Sequence, residues 1–193
     1  MFWKSSLKRG LLAVTMLALC ANAGAAATNY GKGGDFTLNA PDGSLSLSDL
    51  RGKIVLIFFG YTSCPDVCPT SLARINASFS AMDDKELERV QALFITLDPE
   101  RDTADRLEKY TRYFHPKIIG LRDDVDAIDA VASLYGVEYS KDPMPESALG
   151  YSISHPTDIL LLDAEGRIVE AVPHDARSKY LLARIRELLN APD

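Results

Sequence analysis

Ile54-Val55-Leu56-Ile57-Phe58-Phe59-Gly60-Tyr61-Thr62-Ser63-Cys64-Pro65-Asp66-Val67-Cys68-Pro69-Thr70 is the stretch that decides the fold. Its first six residues are apolar without a break and rich in β-branched and aromatic side chains, the pattern of a strand buried on both faces. Leu72, Ile75, Phe79 and Met82 then recur at steps of three, four and three, which makes one apolar helix face. A buried strand, a polar turn and an amphipathic helix open an α/β fold. Such sheets place their chemistry at the carboxyl ends of the strands, where the two cysteines sit.

The rest of the chain extends the same pattern. Leu93 to Leu97 repeats the buried strand. Leu107, Tyr110 and Phe114 mark a second helix, and Val125, Ile128 and Val131 a third. Ile118 to Leu121 and Val137 to Tyr139 read as short strands, and Lys141 to Tyr151 as a loop. Ile159 to Leu162 and Arg167 to Val172 flank Asp163-Ala164-Glu165-Gly166 as a hairpin, and Phe36 to Leu47 forms another around Pro41-Asp42-Gly43. Leu181, Ile185, Leu188 and Leu189 give a closing helix. The sum is an α/β sandwich with a mixed sheet.

Composition narrows the class. With 193 residues, 47% apolar and 25% charged, the chain has room for about one globular domain. A disordered tail, a collagen, a disulfide-dense mini-protein and a polytopic membrane protein are excluded. The net charge of −6, with no Lys/Arg cluster beyond the N-terminus, argues against nucleic acid as a partner.

Residues 1–27 read as an export signal. Lys4, Lys8 and Arg9 precede an apolar run from Leu11 to Leu19, and two small-residue exits follow. Cleavage would leave a mature chain three charges more negative, in an oxidising, periplasm-like compartment. Retention of Leu11 to Ala27 as a membrane anchor is the alternative, and would be the chain's one contact with the bilayer. Lipidation at Cys20 is a third option, disfavoured by Leu19 before it. Residues 28–35, polar and Gly-rich, read as a linker, and 36–193 as the domain.

The domain then keeps two cysteines, Cys64 and Cys68. Each precedes a proline, which biases it away from helical angles. Pro69 suits the first helical position, with Cys68 as the cap before it and Cys64 in the loop. Asp66 between them suits a capping role. The positive end of the helix dipole stabilises thiolates, so Cys68 foremost, and Cys64 beside it, should be more acidic than a free thiol. A structural disulfide is the plain reading. So short a loop removes little unfolded-chain entropy, however, and a redox or metal role suits the pair better.

Two thiolates make an incomplete metal site, and three histidines compete to complete it. His155 lies in a polar segment just before the strand Ile159 to Leu162, from which a sheet fold can return it to the cysteine turn. His115 suits a helix C-terminus, and His174 a surface loop. An ordinary solvated histidine is the alternative at each. Two thiolates and an imidazole suit a soft ion, Cu(I) before Zn(II), which would want a fourth protein ligand. Met144 is a weak extra candidate.

Gly60-Tyr61-Thr62-Ser63-Cys64-Pro65-Asp66-Val67-Cys68-Pro69, then Leu97-Asp98-Pro99-Glu100-Arg101-Asp102-Thr103, then His155 before a hydrophobic strand, together resemble the Sco/SenC family of copper-binding assembly proteins. The resemblance covers roughly residues 35–190 and implies a thioredoxin-like fold with a mixed central sheet and insertions. It also implies one copper ion per chain, Cu(I) or Cu(II), held by Cys64, Cys68 and His155. The implied task is to deliver copper to the copper-centre subunit of cytochrome c oxidase, or to reduce its cysteines. A thiol reductant and another copper carrier would be the further partners. Family members commonly carry Asp before the histidine and Ser or Thr after it. Ser154 and Pro156 stand there instead, which lowers the basicity of His155 and stiffens its approach.

Two other readings follow from the residues. The Cys64/Cys68 pair suits a thiol–disulfide oxidoreductase, although three residues separate the cysteines rather than the two of thioredoxin motifs. A peroxidase fits less well, because neither cysteine has the required proline and threonine before it. Asp98 and Asp102 read as turn caps and Thr103 as a helix opener, with a direct role for Asp98 or Arg101 near the cysteines as the alternative.

Overall fold

In the computed structural model, which describes residues 30–191, Pro41 and Asp42 turn β1 (Thr37–Ala40) back onto β2 (Gly43–Ser46). Gly43 has φ +128°, a backbone state that only glycine enters without strain. Next come β3 (Ile54–Gly60), α1 (Val67–Phe79), the short α2 (Asp84–Glu88) and β4 (Val90–Thr96). Every residue of β3 and β4 is buried, as their unbroken apolar runs require. The two strands pair in parallel, with Ile54 opposite Val90 and Gly60 opposite Thr96.

Beyond β4, α3 (Ala104–Phe114) returns the chain to β5 (Ile118–Leu121), parallel to β4. The chain continues through α4 (Val125–Leu134), the hairpin β6 (Ser140–Met144) and β7 (Gly150–Ser154), the hairpin β8 (Ile159–Leu162) and β9 (Ile168–Val172), and α5 (Ser178–Leu189). Strand β8 runs antiparallel to β3, with Leu160 opposite Ile57, so the sheet order is β5-β4-β3-β8-β9. This mixed sheet flanked by helices is thioredoxin-like, with the β1–β2 and β6–β7 hairpins as additions outside it.

The core lies on both faces of β3 and β4. Leu72, Ile75 and Phe79 bury the expected face of α1, and Leu181, Ile185 and Leu189 that of α5, which packs beside it. Each such side chain contributes about 1.5–3 kcal/mol on burial. Met82, read as the end of the α1 stripe, is buried in the turn beyond the helix.

The structure differs from the sequence reading at several places. Val137 to Tyr139 form no strand. The segment read as a loop is instead the β6–β7 hairpin, all of β6 being exposed. From Tyr30 the Gly-rich stretch read as a linker is held against the domain. Gly31 and Gly33 donate their backbone N–H groups to the Tyr135 and Leu134 carbonyls, and Tyr30 donates its hydroxyl to Asp158 at 3.1 Å. The segment 1–27 and Cys20 lie outside the described residues. Among the described residues, no helix is long and apolar enough to cross a membrane.

Candidate metal centre

Strand β3 ends at Gly60, and the cysteine turn rises from it. Thr62 anchors that turn. Its backbone N–H and its hydroxyl donate to Asp102, at 3.0 and 2.5 Å, and Thr96 at the end of β4 donates to the same carboxylate at 2.6 Å. Arg106 on α3 donates to the Thr62 and Ser63 hydroxyls, at 2.7 and 2.9 Å, and lies 3.9 Å from Asp102. Asp102 is therefore more than a cap. Its wholly buried carboxylate joins β4, α3 and the cysteine turn.

Helix α1 begins at Val67, so Cys68 is its second residue and Pro69 its third, two positions earlier than expected. The missing N–H of Pro69 costs no helical bond there, because it belongs to the first turn, whose N–H groups have no helical partner in any case. Asp66 is the cap residue, but its side chain makes no capping bond. The Cys64 sulfur does that work. It accepts from the N–H of Cys68 at 3.5 Å, and the N–H groups of Asp66 and Val67 also face it.

That arrangement reverses the expected order of acidity. The Cys68 thiol donates to the Cys64 sulfur. This bond, with the backbone N–H groups, outweighs partial burial and lowers the Cys64 pKa from 9.0 to about 5. Cys68 moves up, because it is the donor in that bond, is fully buried and faces the Cys64 charge. Both thiols are free. In the reduced protein, iodoacetamide at pH 6–7 should modify Cys64 and spare Cys68, with a rate that inflects near pH 5. Equal labelling of the two by mass spectrometry contradicts this. Because the folded pKa is lowered, this group's contribution to stability is full above the unfolded thiol's pKa and is lost as pH falls through about 5.

Gly60 makes room for the buried sulfur. A Cβ there would meet Cys68 Sγ at 2.8 Å and the Phe94 ring at 3.0 Å. Gly60→Ala should cost about 1–3 kcal/mol by overpacking. A chain of this size then loses about 2–4 °C of melting midpoint per kcal/mol. An unchanged midpoint would show that the sulfur can move aside.

Of the three histidines, His155 reaches this site. Its Nε2 stands 3.9 Å from Cys68 Sγ, and its ring packs edge-on against Tyr61 and Phe58, with centroids 6.1 and 6.4 Å away. Nδ1 lies 2.7 Å from the Pro156 carbonyl, an acceptor only, so Nδ1 carries the hydrogen and Nε2 keeps its lone pair toward the sulfur. Burial lowers the His155 pKa, which favours the neutral, ligating form. The Pro156 carbonyl thus supplies the orienting acceptor that an acidic neighbour would have given. A depression of about 290 Å³, lined by Glu138, Tyr139, Ser140, Ser154 and His155, opens beside the ring. A larger groove of about 460 Å³, between the β1–β2 hairpin and α3, lies away from the sulfurs.

The other candidates stand elsewhere. His115 caps the end of α3, where its Nδ1 accepts from the Lys117 N–H and its ring packs on Phe79. Burial lowers its pKa, so it is not the cation that a dipole partner would be. His174 pairs with Thr157. Met144 sits at the end of β6 opposite Gly150, whereas the end near His155 is the Ser140–Ser154 pair. Four strand residues at about 3.3 Å each keep it out of reach. Thr103 caps α3 as expected, by accepting from the Arg106 N–H.

The donors fit a soft ion. The 3.9 Å between Cys68 Sγ and His155 Nε2 is less than about 4.3 Å, the sum of ordinary metal–sulfur and metal–nitrogen lengths, so one ion can touch both. Among the described residues, no three His, Cys, Asp or Glu side chains already stand close enough to hold an ion. Loading therefore needs a side-chain adjustment.

Known proteins resemble this chain closely. The SCO1/SenC family model matches residues 24–190. Protein SCO2, mitochondrial, of Saccharomyces cerevisiae is 36% identical over 160 residues, 82% of this chain and 53% of its own length. A SCO2-like protein of Rickettsia conorii is 35% identical over 155 residues, 80% of this chain and 75% of its own. The chain thus spans about half of the yeast relative. Among solved structures, copper-bound Bradyrhizobium japonicum ScoI superposes with a TM-score of 0.74 at 38% identity, over 82% of this chain and 100% of that one. Copper-bound yeast Sco1 gives 0.75 at 31% identity, over 84% and 91%.

Proposed function

Since the chain belongs to the SCO1/SenC family, we propose that it is a copper metallochaperone that holds one ion through Cys64, Cys68 and His155. The observation that carries this reading is the His155 lone pair facing Cys68 Sγ at 3.9 Å, beside a second sulfur cradled by a helix N-terminus. Copper-bound structures of similar chains support it. Two soft sulfurs and a neutral imidazole favour Cu(I). Copper is cargo here. The protein gives it a small, partly buried donor set, and an incoming acceptor takes it by ligand exchange. The acceptor we assign is the copper-centre subunit of cytochrome c oxidase. The working compartment is the periplasm, with residues 1–27 as export signal or anchor and 36–193 as the copper-binding domain.

Anaerobic titration of the reduced full chain with Cu(I) tests the reading. One ion per chain is expected, with weaker retention in His155→Ala. No binding, or binding indifferent to His155, overturns it.

The low-pKa Cys64 beside a buried Cys68 thiol favours a second activity, reduction of a partner disulfide. The Cys64 thiolate attacks one sulfur of the partner's bond and the other leaves as a thiolate. Cys68 then gives up its proton and attacks the Cys64 sulfur. That closes Cys64–Cys68 and releases the second partner sulfur. The partner gains two electrons and two protons, one proton from Cys68 and one from solvent, and an external thiol reductant restores the pair. His155→Ala should spare this exchange while impairing copper retention.

A further inference from the structure

The β6–β7 hairpin pairs with no strand of the central sheet, yet it ends at Ser154, one residue before His155. Side chains from the loop after β4 fix it in place. Arg101 Nη1 donates to the carbonyls of Leu149 and Tyr151, at 2.9 and 3.0 Å. Its guanidinium carbon lies 3.6 Å from the centre of the Tyr151 ring. The Tyr151 hydroxyl donates at 2.7 Å to Asp98, a wholly buried carboxylate that also pairs with Arg101 Nε. On its other side Arg101 is 5.8 Å from the ring of Tyr61, which walls His155. One cation therefore touches both the strand leading into His155 and the ring packed against it.

We propose that Arg101, held by Asp98, is a positioning residue that latches the hairpin and thereby sets how tightly His155 engages the ion. The inference rests on the copper reading above. Groups that orient a ligand this way are worth about 10–100-fold in metal affinity. Among the described residues, Arg101 alone combines two backbone carbonyls, a carboxylate and two aromatic faces. A lysine has no planar fork with which to do the same.

The experiment is a double-mutant cycle on the reduced full chain, read by Cu(I) competition against a chromophoric chelator and by hydrogen exchange of the metal-free protein. Arg101→Gln should weaken Cu(I) binding about 10–100-fold and should speed exchange of the amides of residues 150–154. In a His155→Ala background the same substitution should change affinity less than about twofold, because its effect passes through the imidazole. Should Arg101→Gln fold poorly, Tyr151→Phe removes the bond to Asp98, keeps the ring, and should shift both readouts the same way. Equal losses in both backgrounds would show a general structural role and overturn the proposal. So would unchanged exchange at 150–154, which tests the latch without metal. A His155→Ala affinity equal to wild type would defeat the copper reading instead, and with it the proposal.

Discussion

Asp102→Ala should lower the thermal midpoint of the reduced protein by about 10 °C. The carboxylate is wholly buried and accepts three hydrogen bonds from Thr62 and Thr96. Its removal leaves one backbone N–H and two hydroxyls without their acceptor and exposes a cavity. Breaking a buried charged network of this kind costs about 3–5 kcal/mol. At about 2–4 °C per kcal/mol for a domain of this size, the expected shift follows. Asp102→Asn keeps the shape but turns two of its hydrogens toward donors, so it should fall between wild type and alanine. Thermal melts read at two wavelengths check both variants. A shift below about 2 °C for the alanine variant would mean that water replaces the carboxylate and that the network is not structural.

The second large effect is on the ion. Cys64→Ala removes the sulfur that accepts the N–H groups of the α1 terminus, and with it one of three proposed ligands. Metal sites built from four protein ligands supply about 10–16 kcal/mol, which is about 2.5–4 kcal/mol per ligand. The expected loss is thus two to three orders of magnitude in Cu(I) affinity. His155→Ala should cost less, because two sulfurs still hold a soft ion. Anaerobic chelator competition ranks the variants. A Cys64→Ala protein with wild-type affinity would remove Cys64 from the site and leave the ion to other donors.

What the sequence disclosed and what it concealed divide on physical lines. Strands β3, β4 and β8 were legible because a strand covered on both faces must be apolar throughout. Helix α1 was legible by period, but its start was not. The proline rule describes a bias, and a helix's first turn has no bond for Pro69 to break. The β6 strand gave no signal, since Ser140-Lys141-Asp142-Pro143-Met144 is exposed and has no apolar alternation. It is a strand through its antiparallel backbone pairing with β7, which Arg101 holds from 50 residues away.

At the site, the two cysteines and His155 could be chosen by residue type and by place along the chain. Their inequality could not. A dipole argument favours the thiol nearest the helix, yet the N–H groups converge on the sulfur outside it. Asp102 illustrates the same limit. It reads as one more turn cap, and only the fold brings Thr62 to it across 40 residues.

The two ends of the described chain leave the domain at opposite poles. Tyr30 is tied to Asp158, three residues past His155, at the pole where β3 ends. The Leu189 carbonyl instead accepts from Arg89, whose own carbonyl receives the N–H of Ile54 where β3 begins. An oligohistidine affinity tag placed directly before Tyr30, in a chain cut there, would therefore start from the pole of the sulfurs and compete for cargo. The same tag fused downstream would hang from the far pole, which makes it the sounder choice for any purification meant to precede a metal assay.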